Sequence, residues 1–174
     1  MSGCAAIDVA PDGSYSRAAL SALKPLERWA FDGRLSLTGQ KESWSASIAW
    51  EHTPVEEHLK LSGPLGQGAT VIRLAGERAT IDRGAGNVQV STQPEAFINQ
   101  QVGLSVPIKA LRYWTIGLPD PEQSFVEIGS GFRQSGWLVE YKQMQQMNNR
   151  TMPRKMTVMN GQVKLKLIID QWVF

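Results

Sequence analysis

Cysteine occurs once in this 174-residue chain, at Cys4, within the run Met-Ser-Gly-Cys-Ala-Ala. An apolar residue, two small residues and a cysteine is the spacing at which bacterial processing leaves a cysteine to be acylated, so the chemistry on offer is covalent lipid attachment. No positively charged region and no apolar run stand before Cys4, so the expectation is a signal segment that would lie upstream of Met1. The alternative is a chance cysteine in a floppy cytosolic N-terminus. A single cysteine allows no internal disulfide and no cysteine-based zinc site.

Other reactive groupings are sparse. His52 and His58 flank Pro54-Val55-Glu56-Glu57 in a predicted exposed turn, where Glu51, Glu56 or Glu57 could join them around a metal; a solvated turn is the plainer reading. No Gly-x-Ser-x-Gly elbow is present, and Cys4 has no partner base, so an enzyme is the weakest class. Gly63-Pro-Leu-Gly-Gln-Gly68 lacks the Lys-Ser/Thr and the following helix of a phosphate loop. That segment is more telling for Leu65, which stands between Pro64 and Gly66 at a turn apex. An apolar side chain gains nothing there unless something covers it, either its own domain or an apolar partner such as a membrane or a lipidated client.

The remaining chain supplies a scaffold. Its length suits one domain, 1–15 reading as a tether and 16–174 as the folded unit. A net charge of +2 with scattered basic residues leaves no footprint for nucleic acid. Six tryptophans could be core packing or a wide apolar ligand surface. Ser16 can cap a short helix bearing Leu20, Leu23 and Leu26. From Ala30 the apolar period becomes two: Phe31, Leu35 and Leu37 share a face, as do Trp44, Ala46, Ile48 and Trp50. Further strands are predicted at 58–62, 69–74, 78–82, 87–91, 125–134, 137–143, 155–159 and 163–173, the last two joined by the Asn160-Gly161 turn. Helices are predicted over 94–103 and 107–116. About ten antiparallel strands with one apolar face and a few short helices make a strongly curved sheet or an open barrel, a mainly β fold.

In order and spacing, the chain resembles the LolB family from about Trp29 to Trp172. The resemblance rests on Phe31-Asp-Gly-Arg-Leu-Ser, on Leu61-Ser-Gly-Pro-Leu-Gly66, and on Val106-Pro-Ile-Lys-Ala-Leu-Arg-Tyr-Trp114 with Gly117-Leu-Pro-Asp-Pro121. It continues through Gln134-Ser-Gly-Trp-Leu-Val-Glu-Tyr141, Met152-Pro-Arg-Lys-Met156 and Leu165-Lys-Leu-Ile-Ile-Asp-Gln-Trp172. It implies an incompletely closed antiparallel β-barrel of about eleven strands, with a helical lid over an apolar cavity for acyl chains. It implies a monomer without cofactor or metal, lipid-anchored on the periplasmic face of the outer membrane. Its implied partners are the carrier LolA, lipoprotein clients and outer-membrane phospholipid. Cys4 corresponds to the lipidated cysteine and Leu65 to the exposed leucine of a protruding, membrane-contacting loop. Candidate cavity walls are Leu35, Leu37, Ile48, Trp50 and Val71, and candidate lid residues are Ile108, Leu111 and Trp114, with Tyr113 as the alternative to Trp114. The sequence leaves open which strand faces point inward. A lipocalin-like carrier of small apolar ligands and a purely structural lipoprotein are the rival classes.

Overall fold

The computed structural model describes residues 14–63, 68–102 and 105–174. Residues with alternating apolar and polar side chains pair antiparallel into one sheet of eleven strands among the described residues. The first six are β1 (Trp29–Thr38), β2 (Ser43–His52), β3 (Glu57–Ser62), β4 (Ala69–Ala75), β5 (Arg78–Asp82) and β6 (Val88–Ser91). The other five are β7 (Phe125–Ile128), β8 (Gly131–Gln134), β9 (Trp137–Met147), β10 (Arg150–Met159) and β11 (Lys164–Val173). The order across the sheet is β6-β5-β4-β3-β2-β1-β11-β10-β9-β8-β7, two meanders joined where β1 pairs with β11.

The two sheet edges, β6 and β7, are consecutive in sequence and are not paired with each other, so the barrel stays open. Residues 92–124 run from one edge to the other and contain α2 (Pro94–Val102) and α3 (Ile108–Thr115). Connectivity alone therefore places two helices at the opening. A first short helix, α1 (Arg17–Ser21), is capped by Ser16, whose Oγ accepts the Ala19 N–H at 3.2 Å.

The strand predicted over 125–134 is two strands. Ile128 pairs directly with Gly131, so Gly129 and Ser130 form a two-residue hairpin turn, which raises the pattern's ten strands to eleven. Two bulges set the curvature. Between Asp32 and Gly33 the register with β11 slips by one residue, which lets both Ile169 and Trp172 point inward although their numbers differ by three. Gly33 is required at this close approach, because a Cβ there would lie 2.3 Å from the Ile168 carbonyl oxygen. The second irregularity lies in β10 around Pro153 to Met156, where proline lacks the N–H that regular pairing would use.

The inner face divides in two. On the β8 to β10 side, Phe132, Val139, Met152, Met156 and Val158 are fully buried. At one end of the β1–β2–β11 side, Trp29, Phe31, Trp50 and Trp172 pack ring on ring with centroids 5.1–6.1 Å apart. The rest of that side encloses the candidate site.

Candidate functional site

Residues directly opposite one another across antiparallel strands share a face, and the register brings one apolar set together. Leu35 faces Leu167 on β11, and Leu37 faces both Trp44 and Leu165. Ile48 faces Leu61, Trp50 faces Leu59, and Leu59 faces Ile72 on β4. These ten side chains, with Ile98 of α2, Val106, and Ile108 and Leu111 of α3, surround a cavity of about 60 Å³ in which every lining residue is apolar. Leu37, Ile48, Trp50 and Leu59 are buried, whereas Leu35, Trp44 and Leu61 are only half-buried. The cavity wall is thus less covered toward the end of β3, where the chain passes into the connection between Ser62 and its partner Ala69.

The roof is α3, and its two ends are held differently. Ile108 and Leu111 project into the cavity, one helical turn apart on one face. At the other end Trp114 is fully buried, its ring 6.2 Å from that of Trp137, and its Nε1 donates to Gln134 Oε1 at 2.7 Å. The same Gln134 oxygen accepts the Asp120 N–H, while its Nε2 donates to the Asp120 and Gln123 carbonyls, so this buried amide is fully satisfied. The Tyr141 hydroxyl donates to the Trp114 carbonyl at 2.6 Å, and Tyr15, stacked on Tyr141 at 4.3 Å, donates to the Gly117 carbonyl at 2.9 Å. Burial raises the phenol of Tyr141 well above its ordinary value, with Tyr15 adding to the shift. Burial likewise raises Tyr15, with Glu127 reinforcing the effect and Arg17 opposing it. Both hydroxyls therefore remain neutral donors to the end of the helix.

Behind the Trp50 ring lies the one charged group buried in the barrel wall among the described residues apart from the Asp120 turn. Glu57, 3 % exposed at the start of β3, accepts the Trp50 Nε1–H at 2.7 Å through Oε2. Its Oε1 lies 2.6 Å from His52 Nδ1 and 2.9 Å from Arg112 Nε of α3. The Arg112 N–H does not point along that line, so the contact is an ion pair rather than a directed hydrogen bond. His52 stacks on Trp29 at 5.1 Å, which fixes its ring.

Comparison with known proteins now bears on this arrangement. Residues 27–172 match the family described as outer membrane lipoprotein LolB. The chain belongs to the LolB family. It is 34% identical to the outer-membrane lipoprotein LolB of Chromohalobacter salexigens, an alignment covering 99% of this chain and 85% of that one. It is 30% identical to the LolB of Nitrosococcus oceani, over 87% and 79% of the two chains, and 28% identical to that of Pseudomonas paraeruginosa, over 99% and 90%. LolB proteins are outer-membrane lipoproteins of the lipoprotein localisation pathway, and family membership gives this chain that coarse receptor role.

The geometry sorts the residues singled out from the LolB resemblance. Leu35, Leu37, Ile48 and Trp50 line the cavity, and Ile108 and Leu111 roof it. Val71 does not: it pairs with Lys60 and Asp82 on the outer face, and its neighbour Ile72 takes the inner position, because one residue of phase moves a strand side chain through the sheet. Trp114 is on the roofing helix but anchors its far end, and Tyr113 lies outside the cavity as well. Cys4 and Leu65, with Pro64 and Gly66, lie outside the described residues. The turn between the histidines is also corrected, since Glu57 is buried rather than solvated. Glu57 is paired with His52, whereas His58 is paired with Glu51 and belongs to the opposite face, so the two histidines cannot share a ligand. No helix among the described residues is long and apolar enough to cross a membrane.

Trp44, Leu59, Leu61, Ile72, Ile98, Val106, Leu165 and Leu167 are cavity residues that sequence reasoning did not single out as walls. Their signal was present as strand phase, since Leu165 and Leu167 alternate with lysines, but the phase of one strand becomes a site only through its register with the next. Arg112 and Glu57 are joined only in three dimensions.

Proposed function

We propose that this protein receives lipoproteins from the carrier LolA by taking their acyl chains into the cavity beneath α3, and delivers them to outer-membrane phospholipid. The single observation that carries the reading is an all-apolar cavity roofed by an amphipathic helix in an open barrel of the LolB family. Transferring an acyl methylene from water into such a site is worth roughly 0.8 kcal/mol, so chains must pass between apolar enclosures without a wet intermediate. Without nucleotide energy, delivery runs downhill in affinity from carrier to receptor to bilayer.

At about 60 Å³ the enclosed space is well below the roughly 300–1,000 Å³ of pockets that hold drug-sized ligands. An acyl chain needs more room than this, so uptake requires the N-terminal part of α3 to lift. Leu65 at the connection between β3 and β4 is assigned to membrane contact, and Cys4 to the lipid tether. The chain acts by binding, as a monomer, with no catalytic step.

The test is transfer of a triacylated client from loaded LolA to this protein and then to phospholipid vesicles. Leu65→Glu is expected to accept the client but deliver it at least tenfold more slowly, with folding unchanged. Wild-type protein that binds free fatty acid yet fails to take a client from LolA would instead favour a small-ligand carrier.

A further inference from the structure

The apolar contacts of Ile108 and Leu111 do not by themselves fix how far the roof stands from the barrel, because such contacts are non-directional. Near the cavity, one charged contact adds to them. Among the described residues, Arg112–Glu57 is the only ion pair between α3 and the sheet, and it joins the middle of the helix to the wall behind Trp50. We propose that Glu57 is the positioning residue of the lid, an electrostatic latch that grips Arg112 and sets the closed position of α3 over the cavity. The proposal rests on reading α3 as a lid.

Three features fit a latch better than a static strut. First, Glu57 is held from behind by Trp50 Nε1 and His52 Nδ1, both on β2, so the carboxylate keeps its hydrogen bonds and its position when Arg112 leaves. Second, Arg112 contributes charge without an aligned N–H, and its side chain is 31% exposed, so it can depart into water without breaking a directed bond. The carboxylate it leaves behind is buried and has lost the Arg112 charge, which favours reclosure. Third, the Trp114 end of the helix is pinned by Gln134 and Tyr141, so release at Arg112 turns the Ile108 end about a fixed point. The same Trp50 whose ring forms part of the cavity wall carries the bond to Glu57, so the latch and the cavity share one side chain.

The test is amide hydrogen exchange of α3 in the ligand-free full chain. An eight-residue helix has little stability of its own once it leaves the barrel, so its amides report opening. Glu57→Gln preserves shape and, through its one amide oxygen, the bond from Trp50 Nε1, turns its NH2 toward His52 Nδ1 in the accepting tautomer, and removes the charge; it is expected to speed exchange at Leu111 to Tyr113 about tenfold, with β2 and β3 amides unchanged. Arg112→Gln, which removes the charge from the partly exposed helix side of the pair, is expected to do the same. The double variant should be no faster than either single one, and Arg112→Lys should stay within about twofold of wild type because the contact is coulombic. Unchanged α3 exchange in both single variants, or additive effects in the double, would overturn the latch. Uptake of a fluorescent fatty acid separates the two readings: faster α3 exchange in Glu57→Gln with unaltered uptake keeps the latch and removes the acyl role of the space beneath it.

Discussion

The β8 to β10 side of the barrel and the β1 to β4 side with β11 both bury an apolar face, yet they bury it differently. On the first side Trp114 packs against Trp137, and the hydrogen bond it donates to Gln134 and the one its carbonyl accepts from Tyr141 lock it in place. On the second, leucines and isoleucines from five strands meet no comparable insert, and a void remains under Ile108 and Leu111. Native interiors are packed to crystal density, so a void in a wall of well-formed strands is a cost that the fold keeps, on the order of 1–2 kcal/mol for this volume. The difference teaches that one helix meets the barrel in two ways, as a packed, hydrogen-bonded plug at its C-terminal end and as an apolar roof over a void at its N-terminal end.

That contrast can be broken most forcefully at Trp114. Trp114→Ala is expected to lower unfolding free energy by about 3–5 kcal/mol in urea titration, while Leu111→Ala falls at about 2 kcal/mol or less because its neighbours already face empty space. Equal losses would mean that the two ends are packed alike. Gln134→Leu should come next, at roughly 2–3 kcal/mol, since it strands the Trp114 indole, the Asp120 N–H and two carbonyls. Overpacking should then discriminate by side: Val139→Phe is expected to cost about 1–3 kcal/mol, whereas Leu35→Phe, pointing into the void, should change stability by less than about 1 kcal/mol while weakening fatty-acid binding.

The smallest effect is one of pH. Tyr141 has a folded-state pKa raised above its unfolded value of about 10, so its contribution is fully present below pH 10 and is lost as pH rises toward the folded value. Thermal unfolding followed above pH 10 should show a declining midpoint, with a shallower decline in Tyr141→Phe. An identical slope in the two proteins would show that this hydroxyl does not couple the helix end to the sheet.

Much of this architecture was legible before any coordinates. The period-two runs in 31–38 and 43–51, the Asn160-Gly161 turn, the proline that starts α2 and the Pro107-to-Gly117 frame around α3 each carry a local signal that the fold obeys. The resemblance then supplied eleven strands where the pattern alone supplied ten, because the turn at Gly129-Ser130 is too short to interrupt an alternating run. Site residues were legible in proportion to how local their determinants are. Leu35, Leu37, Ile48 and Trp50 follow from strand phase, whereas Val71 was placed one residue out of phase: Val71 and Ile72 are both β-branched and apolar, and only pairing with Lys60 tells them apart. Trp114 reads as a lid residue by its helix, but its role depends on Gln134, twenty residues away. The Glu57–Arg112 pair spans two elements with no sequence pattern in common, and an acidic residue beside Pro54 and Glu56 reads as solvated until His52 and Trp50 are seen to close over it.

The central claim, that acyl chains occupy the leucine-lined side and not the tryptophan-plugged side, can be tested most directly with a lipopeptide whose acyl chain carries a photoactivatable group. After loading and irradiation, mass spectrometry should find the crosslinks on β1 to β4, β11 and the Ile108 end of α3, at residues such as Leu37, Ile48 and Leu59. Crosslinks concentrated on Phe132, Val139 or Met156, or none above an unloaded control, would contradict the account.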